Sequence, residues 1–101
     1  MSYIKSYRLS DIAESDISEI YDYTVSHHSH NQAILYLQGL EKQFIMLVDQ
    51  PNIGKNRDEI RKTLKSFVYE KHTMFYRVLD DHIRIVRVLH SSRDMPKLLQ
   101  D

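Results

Sequence analysis

The run Thr73-Met74-Phe75-Tyr76-Arg77-Val78-Leu79-Asp80-Asp81-His82-Ile83-Arg84-Ile85-Val86-Arg87-Val88-Leu89-His90 decides the fold. Its two arms, Thr73 to Leu79 and Ile83 to Leu89, are rich in Val, Ile, Phe and Tyr, the composition of strands. Asp80-Asp81 is the tightest link between them, since Asp tolerates the left-handed backbone that a two-residue hairpin turn needs. With that turn Leu79 opposes His82, and the register follows. One face then carries Met74, Tyr76, Val78, Ile83, Ile85 and Leu89, with Arg87 as its single charge, and this face is expected to meet the core. The opposite face carries Phe75, Arg77, Leu79, His82, Arg84, Val86, Val88 and His90. There Arg77 lies directly across from Arg84, and like charges so placed destabilise a sheet. Either a carboxylate from Glu70 or the turn lies between them, or the pair awaits an anion or an acidic partner.

Upstream of this hairpin, Ser66 to Glu70 reads as another strand. Residues 51–65 form a polar, basic connection anchored by Ile53, Ile60 and Leu64, with a short helical turn expected at Asp58 to Leu64. Before it, Ala33, Leu37, Leu40, Phe44 and Leu47 recur in steps of four and three, the stripe of an amphipathic helix. Ile34, Ile45 and Val48 widen the stripe, so this helix is expected to be buried against two neighbours. Ser29 followed by Gln32 caps its start, and Asp49-Gln50-Pro51-Asn52 ends it. An earlier helix, capped by Ser10 or Asp11 and running to about Ser26, lines up Ala13, Ile17, Ile20 and Thr24, with Asp16, Glu19 and Asp22 on other faces. Tyr3 to Leu9 suggests a first strand, and the tail from Ser91, interrupted by Pro96, a loop or short last turn. The order β-α-α-β-β-β implies an α+β fold in two layers, an antiparallel helical hairpin packed on one face of a mainly antiparallel sheet.

Composition bounds the function. A chain of 101 residues is expected to form one domain spanning 1–101, with enough length for one core. No apolar run reaches the roughly 20 residues that cross a bilayer, and the start lacks a signal-peptide core, so no membrane role and a cytoplasmic location are expected. The absence of Cys removes disulfides, thiolate metal sites and cysteine nucleophiles. The formal net charge of +0 hides an asymmetry: residues 1–50 hold 3 Lys and Arg against 7 Asp and Glu, and residues 51–101 hold 11 against 7. The basic second half is where an anionic or acidic partner is to be sought.

No phosphate-cradling, dinucleotide-binding or calcium-loop spacing occurs. His27, His28 and His30 sit in a turn with no carboxylate at a regular offset, so they read as a polar turn and not a metal site, and no metal or other cofactor is implied. Ser91, His90 and Asp94 are too close in sequence for a catalytic triad, and no nucleophile elbow is present. Lys55, Arg57, Arg61, Lys62 and Lys65 precede the last strands, and Arg87, His90 and Arg93 close them. Gathered at one edge of the sheet, such residues hold phosphates, cut RNA with His as the proton shuttle, or simply form a solvated basic rim.

The string Pro51-Asn52-Ile53-Gly54-Lys55-Asn56-Arg57-Asp58-Glu59-Ile60-Arg61, then Ser66-Phe67 and His72-Thr73-Met74-Phe75-Tyr76-Arg77, resembles the ParE branch of the ParE/RelE toxin superfamily. So does Ile83-Arg84-Ile85-Val86-Arg87-Val88-Leu89-His90-Ser91-Ser92-Arg93-Asp94, and Tyr7-Arg8-Leu9-Ser10 with Ala13, Asp16, Ile17 and Ile20 is similar to the family's start. The resemblance spans nearly the whole chain and implies the same two-layer fold. It also implies a bacterial type II toxin in a hetero-oligomer with a ParD-like antitoxin, poisoning DNA gyrase and meeting DNA only through antitoxin or gyrase. The target contacts then expected are Arg57, Arg77, Arg84, His90 and Arg93, with no catalytic residue. The antitoxin is expected on the outer helical faces around Tyr21, Tyr23 and Tyr36 and on the exposed sheet edge. RelE relatives instead cut mRNA on the ribosome, often with a tyrosine after the last strand. The last tyrosine here is Tyr76, so in that alternative His90 acts as acid or base with Arg87 and Arg93 on the phosphate.

Overall fold

The computed structural model describes residues 4–92. The chain runs β1 (Ser6–Leu9), α1 (Asp11–His27), α2 (His30–Asp49), β2 (Lys55–Asn56), β3 (Lys65–Tyr69), β4 (His72–Val78) and β5 (His82–His90). The five strands form one sheet in the order β1-β5-β4-β3-β2, in which β1 is parallel to β5 and every other pairing is antiparallel. The helical hairpin covers one face. This is the two-layer α+β arrangement that periodicity implied, with the short β2 added inside the stretch read as a connection. Of the expected first strand, Tyr3 lies outside the described residues. The segment 58–64 makes turns and not a helix; Thr63, at φ 64°, takes the left-handed conformation, with its N–H donating to Asp58 Oδ1 at 2.8 Å.

Both helix starts follow their capping residues. Ser10 accepts the Ala13 N–H at 3.0 Å, and Ser29 accepts the Gln32 N–H at 3.0 Å. The main core sits between hairpin and sheet, where Ala13, Ile20, Leu40, Phe44 and Leu47 meet Met74, Tyr76, Ile83, Ile85 and Val88. A second, smaller cluster lies on the far side of the sheet: the 57–64 segment folds Leu64 over Phe75 and Leu89, with Ile60 and Val86 beside them. The α2 stripe is narrower than expected, for Ile34 and Ile45 are exposed, but the helix does pack against two neighbours, α1 and the β1–β5 part of the sheet.

Two turn expectations exchange places. Leu79 does oppose His82, its N–H donating to the His82 carbonyl at 2.9 Å. However, the left-handed residue occurs at Glu70 (φ 54°), in the Glu70-Lys71 link between β3 and β4, and not at Asp80-Asp81.

The larger correction concerns the faces of β5. Tyr76 pairs with Ile85 and Phe75 with Arg87, so β5 carries one extra residue at a bulge. Alternation therefore breaks, and consecutive Arg87 and Val88 both turn to the helical side. Val88, expected outside, is core; Leu89, expected beneath the helices, joins the far cluster. Two α1 side chains serve the irregular backbone. Ser10 Oγ donates to the Val86 carbonyl at 2.8 Å, and Asp16 Oδ2 accepts the Val88 N–H at 3.0 Å.

Candidate functional site

The bulge divides the expected site residues between two faces. Arg57, Arg77 and Arg84 belong to the side turned away from the helices. Arg77 and Arg84 are direct cross-strand partners, as expected. Arg84 is exposed, while Arg77 is half-buried beside the 57–64 segment, with its Nη2 donating to the Lys62 carbonyl at 3.5 Å. Its Nε is buried and has no hydrogen-bond partner among the described residues. Among the described residues no carboxylate pairs with the two arginines: Glu70 and the turn aspartates make no ion pair with them. Arg57 lies over the Phe75 ring with its guanidinium carbon 5.8 Å from the centroid. It donates from Nε to Glu59 at 2.7 Å and from Nη1 to Ser66 Oγ at 3.4 Å. That hydrogen bond holds the exposed Glu59 carboxyl below its ordinary range.

His90 and Arg87 sit on the helical side instead. His90 pairs across the ladder with His72, their rings edge to face with centroids 5.4 Å apart. Its Nδ1 accepts the Ser92 N–H at 3.2 Å and lies 2.6 Å from the Ser92 hydroxyl. His72 in turn lies 2.5 Å through its Nδ1 from the Tyr36 hydroxyl. Burial, helped by the positive charge that His90 can carry, lowers the His72 pKa to about 4, so at neutral pH the Tyr36 O–H donates to an unprotonated Nδ1. Burial also raises Tyr36 to about 12, against the opposing pull of the Lys71 N–H, and keeps the phenol a donor. These groups line a cleft of about 700 Å³ between the α1–α2 turn and the ends of β4 and β5, together with Asp16, Glu19, Tyr23 and His28.

Arg87 is held away from that cleft's chemistry. Its Nε and Nη2 both engage the Asp16 carboxylate, at 2.8 and 3.0 Å, and those hydrogen bonds raise the guanidinium's pKa further. Asp16 lies off the Ala13–Thr24 stripe of α1, yet it is buried. The sequence signal for it was available: one unpaired arginine on a core-facing strand demands an acid from the layer above. Arg93 lies outside the described residues, as does Asp94.

The three tyrosines do not share one surface. Tyr23 is 60% exposed and stacks on His27 at 4.0 Å. Tyr21 is half-buried and meets His30 edge-on at 5.9 Å. Tyr36 faces inward to His72 and Tyr69. Tyr23 and Tyr36 reach the same cleft as His90, and Tyr21 stands apart from it. Exposed apolar side chains that the periodicity did not single out, Ile12 and Leu35, join Ile45 on the outer surface of the hairpin. No helix among the described residues is long and apolar enough to cross a membrane.

Residues 7–95 match the family described as the ParE toxin of the type II toxin-antitoxin system, parDE. The chain is 36% identical over 94 residues to Toxin ParE1 of Mycobacterium tuberculosis (strain H37Rv), covering 92% of this chain and 96% of that one. It is 32% identical over 89 residues to Toxin ParE1 of Caulobacter vibrioides, covering 88% and 92%. Its fold matches a chain of a solved structure titled the chromosomal ParDE TA system from P. aeruginosa. The TM-score is 0.76 at 23% identity, over 88% of this chain and 98% of that one.

Proposed function

We propose that this chain, which belongs to the ParE toxin family of type II toxin-antitoxin systems, arrests growth by holding DNA gyrase in its DNA-cleaved state and is neutralised by a ParD-like antitoxin. The observation that carries the target reading is the placement of Arg57, Arg77 and Arg84 together on the sheet face away from the helices, with an arginine pair that no carboxylate of the described residues neutralises. A surface that spends stability on unneutralised charge suits recognition of a large anionic assembly better than internal architecture does. The antitoxin has a separate surface in this reading: the apolar outer side of the hairpin at Ile12, Tyr23, Leu35 and Ile45, which an amphipathic segment covers. The test is purified toxin added to gyrase and supercoiled plasmid. Linear DNA should accumulate, and added antitoxin should abolish it; unchanged plasmid across a wide titration refutes the proposal.

A second reading, ribosome-dependent RNA cleavage, draws on the His90–Ser92 contact at 2.6 Å inside the cleft. It needs Arg87 on the scissile phosphate, and Arg87 is engaged by Asp16. The discriminating measurement is mRNA integrity on translating ribosomes, with His90→Ala as control. Cleavage lost in that variant would favour this reading over gyrase.

A further inference from the structure

Arg8 on β1 pairs in register with Arg84 on β5, and Arg84 pairs in register with Arg77 on β4. Tyr7 and Leu9 pack into the helix-side core, as do Ile83, Ile85 and Tyr76, so alternation directs all three arginines to the opposite face. They form one row across three adjacent strands, with roots roughly 5 Å apart. Like charges directly opposite cost a sheet stability, and this row incurs that cost twice. Among the described residues no carboxylate hydrogen-bonds or ion-pairs with any of the three. Asp81 feels the charge of Arg8 without pairing with it, and His82 Nδ1 lies 2.9 Å from its Oδ1.

The surroundings narrow the ligand. Among the described residues the row's face offers no exposed aromatic platform, since Phe75 is fully buried beneath Arg57. Its exposed apolar side chains, Val68 and Leu79, stand toward opposite ends of the sheet and not at a centre. Protein interfaces place apolar or aromatic anchors at the middle and charges at the rim, and single-stranded nucleic acid is held by stacking on aromatic rings. Neither pattern is present. What remains is a set of guanidinium groups, exposed at Arg8 and Arg84 and half-buried at Arg77, whose forks match phosphate oxygens.

We infer that the Arg8–Arg84–Arg77 row binds phosphodiesters and lies against the backbone of duplex DNA without reading its sequence. Its place in the toxin's action rests on the gyrase reading above: the toxin grips the cleaved duplex as well as the enzyme, where the sequence had implied DNA contact only through other proteins.

The test uses purified toxin and a fluorescent duplex of about 20 bp and arbitrary sequence, with binding followed as salt rises from about 50 to about 200 mM. Three phosphate contacts give a log–log slope of about −2.7, and Arg8→Ala or Arg84→Ala should each reduce it to about −1.8. Lys42→Ala, on exposed α2, should leave the slope unchanged. Arg84→Ala should also raise the melting temperature of the free toxin, because relief of repulsion has the opposite sign to loss of a structural contact. Absence of salt-dependent binding, or unchanged slopes in both arginine variants, overturns the inference. Equal competition by polyglutamate at matched charge also overturns it and assigns the row to an acidic protein. The plasmid cleavage assay on the same preparations separates the two readings. Wild-type toxin that binds DNA with the expected slope but leaves gyrase untouched refutes the gyrase reading alone. Arginine variants that lose DNA binding yet poison gyrase fully remove the row from the toxin's action.

Discussion

Asp16 and Arg87, 71 residues apart in the chain, grip each other through two parallel hydrogen bonds of 2.8 and 3.0 Å while the same carboxylate accepts the Val88 N–H. The pair fastens α1 to the bulged stretch of β5. Removing one partner leaves a largely buried charge without compensation, which costs more than the pair contributes. Asp16→Asn should therefore lower stability by about 2–3 kcal/mol, less than for a fully enclosed pair because Arg87 keeps some access to water. For a domain of this size that is a fall of at least about 8 °C in melting temperature, readable by calorimetry.

Acid should weaken the fold through His72. The unfolded chain takes up a proton near 6.5, whereas burial and His90 lower the folded site to about 4. Between those values the unfolded state binds more protons, so stability declines as pH falls from 6.5 to 4 and this contribution is level below that. The loss should be on the order of 1–2 kcal/mol, since the ring is only half-buried and solvent screens part of the effect. Urea midpoints at several pH values across that window should show the slope, and His72→Gln should flatten it.

Tyr76 fixes the approach to β2. Its hydroxyl donates to the Pro51 carbonyl at 2.8 Å and accepts the Gly54 N–H at 3.0 Å, from a fully buried position. Tyr76→Phe should cost about 1–3 kcal/mol by leaving two backbone groups unpaired. A Cβ at Gly54 would come within 2.5 Å of the Tyr76 hydroxyl and 2.9 Å of the Ser66 carbonyl. Gly54→Ala should thus also destabilise, by about 1–3 kcal/mol of overpacking. Denaturant melts of both variants check the pair.

Tyr23 is a largely exposed aromatic on the hairpin, and its ring stacks on His27 of its own helix. Tyr23→Ala should leave stability within about 0.5 kcal/mol. Antitoxin affinity should weaken by roughly tenfold or more, the weight of one aromatic anchor, in a titration calorimetry experiment.

What could be read from the chain follows from what is local. Ser10 and Ser29 cap helices by contacts three residues away, and the stripe from Ala33 to Leu47 needs only the helical period. The β4–β5 register near the turn is equally local, and the Arg77–Arg84 opposition follows from it. The faces beyond Phe75 were illegible, because an extra residue in β5 leaves no compositional mark, and with it went the placement of Val88, Leu89 and His90. Asp16 was missed for a related reason: helical spacing ranks a carboxylate as outward, and only its distant partner Arg87 explains the burial. The arginine row joins Arg8 to Arg84 through a parallel pairing between strands far apart in the chain, which no short-range pattern encodes.

The position of β5 sets a timetable. It lies between β1 and β4 in the sheet yet is the last of the described strands to be made. At about 5–20 residues per second, the helical hairpin exists for a few seconds before its platform can close. Throughout that interval Asp16 lacks Arg87, β1 has no neighbour, and the row lacks its central cation, Arg84. A nascent chain thus lacks the assembled arginine row until β5 has been made, and the antitoxin's first opportunity to intercept it is the exposed hairpin.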